Sequence, residues 1–313
     1  MITIDFLTVF NQILILFLLL LVGFTIKKLK VVNDHFSNSL SSFIIYVSLP
    51  ALIINSMDSD FNQEQLSKVL NIFLTGLGVY LLMILISYLV VYFIPATTEE
   101  KGVYKFSLIF ANVSFVGYPV VNLLFGKEGI FLVTISNLWY KVFVWTLGII
   151  IIGSNAKRNK KLSWDKLLNP GMFSVIIGLI LFILPIKLPY SITTTLAMLG
   201  STSTPLSMIV VGCILSEVKV SNIFSNWRLW TITLVRLVIT PLIVLSVLKV
   251  VPNINLIVFN ISVILAGMPA AANTAIFAQK FGGDAVLGSE AIFLTTLASL
   301  VTIPLLVYTL GNL

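Results

Sequence analysis

The chain has 313 residues, of which 58% are hydrophobic and only 10% charged, and its mean hydropathy is +1.07. A soluble domain of this size cannot hide that much apolar surface, so the composition is that of an integral membrane protein. The formal charge of +7 needs no nucleic acid to explain it, because most of it lies in loops on one side of the expected membrane.

The apolar runs are long and do not alternate, which favours an all-α bundle over an outer-membrane barrel. The first run, Phe6 to Ile26, has no basic residue before it and three lysines after it. A secretory signal has the opposite charge order and a shorter core, so this run is expected to be retained as a helix. Stretches of about 20 apolar residues then place ten transmembrane helices at 6–26, 36–56, 67–94, 104–125, 128–153, 170–186, 190–216, 227–250, 255–280 and 285–311. No large soluble domain fits between them, and the longest polar stretch, "SNAKRNKKLSWDKLLNP", reads as a linker. The single cysteine, Cys213, excludes a disulfide within the chain and argues against a structural zinc site. His35, the only histidine, sits in a polar loop beside Asp34 and reads as solvated.

Ten spans put both termini on the same side. Thirteen lysines and arginines fall in the odd-numbered loops and four in the even-numbered ones, so the odd loops are expected in the cytoplasm and both termini outside. The two halves also echo each other. Pro50 in span 2 is matched by Pro205 in span 7, and Pro119 in span 4 by Pro269 in span 9. Span 4 ends "LFGKEG" and span 9 ends "KFGGDA", with Phe125 and Phe281 156 residues apart. Five spans per copy is an odd number, so the second copy is inverted in the membrane, as in many secondary carriers. The expected division is residues 1–153, a cytoplasmic linker 154–169, and residues 170–313.

Two spans carry an unusual density of polar and helix-breaking residues: "ANVSFVGYPVVNLLFG" at 111–126 and "LAGMPAAANTAIFA" at 265–278. Proline lacks an amide hydrogen and clashes with the preceding turn, so Pro119 and Pro269 free backbone carbonyls. Gly117 and Gly267 add freedom to turn, and the alanines after Pro269 allow another backbone close. Freed polar groups in lipid cost several kcal/mol each unless they are satisfied. Two broken spans that cross at their breaks supply each other, and a ligand can supply the rest. New helix N-termini near Tyr118–Asn122 and Ala270–Asn273 present free amides and partial positive charge, which suit an anion. Asn112 and Asn273 either orient a carboxylate there or only cap the half-helices.

Three ionisable residues lie a turn or more inside spans and are singled out. Lys141 shares a helix face with Asn137, four residues earlier. It reads as a counter-charge to an anion, as a proton carrier, or as a side chain snorkelling past Trp139 and Tyr140. Arg236 stays protonated and reads as a structural or substrate anchor. Glu290, about one turn into span 10, reads as the partner of Arg236, as a proton site, or as an ordinary interfacial acid.

The segments "YVSLPALIINSM", "FANVSFVGYPVVNLLFGKEG", "RLVITPL", "GMPAAANTAIFAQKFGGDA" and "TTLASLVTIPLL", in that order and spacing, resemble the auxin efflux carrier family, whose prokaryotic members include malate-permease-like proteins. The resemblance covers essentially the whole chain. It implies ten helices as two inverted five-helix repeats, a fold related to bile acid:sodium symporters. It also implies a scaffold of spans 1, 2, 6 and 7, and a transport domain of spans 3–5 and 8–10. An anionic substrate is then held where broken spans 4 and 9 cross, with elevator-like motion and often a homodimer through the scaffold. The crossover positions on this chain are Asn112, Pro119, Pro269 and Asn273. Two departures stand out: "AGMPAAANTAIF" has no acid of the kind sodium-coupled relatives carry, and Glu290 is not part of the family pattern.

The expected function is a secondary carrier of small organic anions such as dicarboxylates (malate among them), gradient-driven or proton-coupled, in the cell membrane. Its partners are the anion and membrane lipid, with no cofactor and no metal. The candidate binding residues are Asn112, Val113, Gly117, Tyr118, Pro119, Met268, Pro269, Ala270 and Asn273, with Asn137 and Lys141. Lys141, Arg236 and Glu290 are the coupling or structural charges. A sodium-coupled symporter is the near alternative. A channel or a membrane sensor is the rival from another class, but no filter-like glycine repeat, acidic ring or cytoplasmic output domain is expected, and an intramembrane enzyme lacks a catalytic pair that would account for both breaks.

Overall fold

The computed structural model describes residues 6–56, 63–153, 170–184, 187–217 and 223–311. The expected linker at 154–169 lies outside the described residues. Fifteen α-helical segments are found and no β-strand among the described residues. The first half contains α1 (Phe6–Lys28), α2 (Asp34–Phe43), α3 (Leu49–Ser56), α4 (Gln63–Tyr92), α5 (Thr98–Ile109), α6 (Tyr118–Phe143) and α7 (Ile149–Ile152). The second half contains α8 (Pro170–Ile183), α9 (Tyr190–Ser201), α10 (Ser203–Glu217), α11 (Trp227–Leu234), α12 (Thr240–Lys249), α13 (Leu256–Ala266), α14 (Thr274–Phe281) and α15 (Ala285–Gly311). Six helical stretches are long and apolar enough to cross a membrane, among them Gln65–Tyr92, Val113–Phe143 and Ala285–Gly311. The chain is a multi-pass membrane protein.

Local chemistry explains where these helices start and stop. Hydropathy places the fourth span at 104, but α5 begins at Thr98 with a polar first turn. Thr97 accepts the Glu100 N–H while the Glu100 carboxylate accepts the Thr97 N–H at 2.8 Å, a reciprocal cap that carries the helix into the polar zone. Asn33, Asn226 and Asn255 cap α2, α11 and α13 through their side-chain oxygens. Gly126 (φ 57°) interrupts the long α6, and Gly282 (φ 87°) ends α14 in the left-handed region. These two are the positive-φ glycines of the described residues, and they are 156 positions apart.

Three prolines sit just after a one-residue widening of the helix. Ile44–Ser48, Val113–Gly117 and Val235–Ile239 each form a π-turn, followed by Pro50, Pro119 and Pro241. In each case the carbonyl four residues before the proline, which its ring would strike, falls inside the wider turn. The helix therefore bends round the ring without stopping.

The most buried apolar residues include Leu108, Val121, Leu132, Ile261, Val263 and Leu294, each no more than 1% exposed. Large apolar side chains such as Leu81, Leu85 and Leu89 of α4 face outward instead, as lipid-facing surface does. α1 lies against α10 at backbone distance. A Cβ on Gly23 would overlap the Ile209 carbonyl, and one on Gly212 the Leu20 carbonyl. Small residues at this seam let two membrane helices close on each other.

Candidate site at the crossing of two broken helices

α5 stops at Ile109 and α13 stops at Ala266, and the two interruptions meet. Ala111 and Ala270 form an isolated antiparallel bridge. The Asn112 N–H donates to the Pro269 carbonyl at 2.8 Å, and the Ala271 N–H donates to the Phe110 carbonyl at 2.9 Å. Methyl side chains at Ala111, Ala270 and Ala271 leave room for this approach. The Ala270 N–H finds the Thr295 hydroxyl of α15 at 3.1 Å. Non-helical backbone at this depth is thus satisfied by protein, the condition under which it is tolerated in a membrane.

Arg236 completes the junction. It is 0% exposed, its Nε donates to the Met268 carbonyl at 2.9 Å, and its Nη1 donates to the Leu108 carbonyl at 2.7 Å. In an unbroken helix the Leu108 carbonyl would accept from Asn112, whose N–H has gone to Pro269. The guanidinium therefore replaces backbone donors that both breaks removed. Nη2 has no partner among the described residues. This corrects the expectation that Arg236 pairs with Glu290: the freed carbonyls, not a carboxylate, are its acceptors.

The two asparagines behave differently. Asn112, 3% exposed, accepts the Phe115 N–H on Oδ1 at 3.2 Å and so caps the π-turn that leads into α6. Its Nδ2 has no partner among the described residues. Asn273 stands at the start of α14 but makes no side-chain cap; its Oδ1 accepts the Tyr140 hydroxyl at 3.0 Å. The capping-only alternative therefore fits Asn112 and not Asn273. Tyr118 is buried, with its hydroxyl 3.1 Å from Thr134 Oγ1, and Pro119 occupies the first turn of α6. Gly117 packs near Leu265 of α13, where a Cβ would sit 3.3 Å from its Cδ2.

Two cavities flank the crossing. A small one of about 20 Å³, enough for one water-sized guest, is bounded by Ala111, Val113, Asn137 and Ser262 among others. Asn137 Oδ1 and Ser262 Oγ are both buried without a partner among the described residues. A larger cavity of about 660 Å³ lies between α2 and α10 on one side and α14 and α15 on the other. Asn273, Phe115, Ser289 and Glu290 reach it. Lys141 borders neither cavity and is half-buried.

A sequence model of a family described as membrane transport protein matches residues 8–307. The chain belongs to this family of auxin efflux carrier-like permeases. An uncharacterized transporter of Methanocaldococcus jannaschii is 26% identical over 94% of this chain and 96% of its own length. One of Methanothermobacter thermautotrophicus is 25% identical over 94% and 96%. A Rhizobium meliloti protein named "Putative malonate transporter" is 22% identical over 86% and 85%. Family and relatives alike are transporters, which speaks for transport rather than catalysis.

In this permease the candidate residues separate into groups. Asn112, Val113, Gly117, Tyr118, Pro119, Met268, Pro269 and Ala270 gather at the crossing itself. Asn137 joins Val113 on the small cavity, Asn273 and Glu290 share the large one, and Lys141 stands apart. Sequence reasoning did not single out Tyr140 or Thr295. Tyr140 precedes Lys141, and its hydroxyl end was the only signal that it could reach a polar partner in the bundle.

Proposed function

We propose that the chain is a secondary carrier of a small organic anion, held where broken spans 4 and 9 cross and moved by elevator-type alternating access. The observation that carries this reading is the antiparallel pairing of 110–112 with 269–271 beside a cavity of about 660 Å³. No side chain caps α14, and Ala272, Asn273 and Ala275 at its start border that cavity. Amides and dipole there favour a negative guest, and Asn273 adds a donor that can orient it. The malonate in one relative's name is a dicarboxylate of the right chemistry.

The proposal includes ten helices in two inverted repeats, 1–153 and 170–313, joined by the cytoplasmic linker 154–169. Gly126 and Gly282, both with positive φ at matching places, support it. Spans 1, 2, 6 and 7 are the scaffold, with a dimer through them, and the other spans travel. With basic loops inside and both termini outside the cell membrane, the large cavity opens from the cytoplasmic end, near the starts of α2 and α15.

Counterflow of labelled malonate and malate into proteoliposomes tests the reading. The wild-type protein is expected to exchange at least one of them, and Asn273→Ala to lose at least about tenfold of that flux, as losing a hydrogen bond to a charged guest implies. A correctly folded Asn273→Ala protein with unchanged exchange would remove the crossing as the binding site. Sodium coupling is the second reading, favoured by the two unpartnered oxygens on the small cavity. Replacing sodium by choline during uptake decides it.

A further inference from the structure

The larger cavity has an unexpected charge for a site that admits an anion. Among the described residues that border it, Glu290 is the one charged side chain, and the rest are hydroxyls, amides and apolar groups such as Ser41, Asn38, Ile45 and Ile214. Lys141 does not reach it, and Arg236 is committed to backbone carbonyls on the crossing. Glu290 is half-buried on this cavity, so in its ionised form it would share the space with the anion, and like charges side by side oppose each other.

We propose that Glu290 is the proton-binding residue of this carrier: it takes up a proton before the organic anion enters the cavity and releases it after the anion leaves. Each transport cycle then moves one proton with one anion in the same direction, and the pair adds no net charge beyond that of the anion plus the proton. The inference rests on the organic-anion reading above and adds to it the identity of the coupling ion and its carrier.

Other charges stand near this mouth. Asp284 lies at the start of the same helix, where Oδ1 caps the Leu287 N–H at 3.0 Å, and like Glu290 it is acidic. On α2, His35 is exposed. α1, which packs on α15, carries Lys27 and Lys28 in its last turn. At the starts of α5 and α11, which also pack on α15, Glu100 and Arg228 are paired with each other at 3.2 Å. The side chains of Asp34, Glu217 and Lys280, on α2, α10 and α14, lie outside the described residues.

The test compares two assays on the same proteoliposomes, using labelled malonate and malate: counterflow at equal pH, and accumulation against a gradient under an imposed pH difference. With the membrane potential held at zero, one pH unit sustains a roughly tenfold accumulation ratio when one proton accompanies each anion. Glu290→Gln imitates the protonated residue, so it is expected to keep counterflow within about threefold of wild type while losing the accumulation. Glu290→Asp is expected to restore accumulation, which a merely structural role would not require. Glu290→Gln that still accumulates the anion under the pH difference overturns the proposal, as does a stably folded Glu290→Gln that loses counterflow. Should Glu290→Gln not be recovered folded, Glu290→Ala is read by the same two assays. Accumulation driven by a sodium gradient alone, or abolished by Lys280→Met with Glu290 intact and counterflow preserved, also overturns it. Absence of counterflow for every anion by wild-type protein overturns the organic-anion reading itself, a separate result from any behaviour of the Glu290 variants.

Discussion

The molecule has two pairs of matching prolines, and they do different things to their helices. At Pro50 and Pro205 the interruptions are slight: a π-turn at Ile44–Ser48 and a single residue, Thr202, between α9 and α10. They repair each other locally, with Ser48 Oγ donating to the Leu199 carbonyl at 3.0 Å and lying 2.8 Å from Thr202 Oγ1. Gly200 lies directly on the backbone of Leu52, so no space remains between them. Near the second pair both helices stop for several residues, at 110–112 ahead of the π-turn that precedes Pro119 and at 267–273 around Pro269; their backbones pair, and a guanidinium from a third helix takes the leftover carbonyls. Cavities lie on both sides. A proline in a membrane helix is therefore no sign of a site; a site forms where the freed groups cannot all be satisfied nearby.

The most disruptive way to probe that difference is Arg236→Met. It leaves the Leu108 and Met268 carbonyls buried without donors, and should lower stability in detergent by roughly 2–6 kcal/mol, at about 1–3 per unmet group, and abolish transport. Arg236→Lys is expected to recover only part, since an ammonium cannot span two carbonyls as a planar fork does. Thermal unfolding of the purified protein measures both, and an unchanged melting profile for Arg236→Met would break the contrast between the two proline pairs. Ser48→Ala with Thr202→Val should cost about 1 kcal/mol and leave anion exchange near wild type. Loss of exchange there would show that the compact pair takes part in binding. The smallest effect is expected from Tyr140→Phe, which removes one hydrogen bond to Asn273. Half-saturation for the anion should rise about fivefold, corresponding to roughly 1 kcal/mol, with stability nearly unchanged.

Much of the fold was legible because its signals are local. The apolar stretches coincide with helical segments, and Gly126 falls between the expected ends at 125 and 128. The start of α5 was missed by six residues because hydropathy does not register a capping box that stabilises a polar first turn. The π-turns were missed as well, since a proline's ring announces a bend and not how the helix accommodates it. For the candidate site, both breaks were legible from "ANVSFVGYPVV" and "GMPAAANTAIF". The partner of Arg236 was not, because backbone carbonyls bear no residue-type signature and their loss of partners depends on the break itself.

The amino-acid sequence by itself determined the membrane class, the family, the location of the two interruptions and the charge asymmetry of the loops. The family came from the resemblance of motifs spread over the whole chain, and the other three follow from solvation and backbone sterics that act over one helix or less. Only the tertiary structure decided that Asn112 gives its amide to Pro269, that Arg236 serves carbonyls 128 and 32 positions away, that Tyr140 holds Asn273, and that Glu290 opens onto the same cavity as Asn273. These pairings join residues far apart along the chain. They exist because every polar group buried in an apolar bundle must find a partner wherever packing brings one within reach.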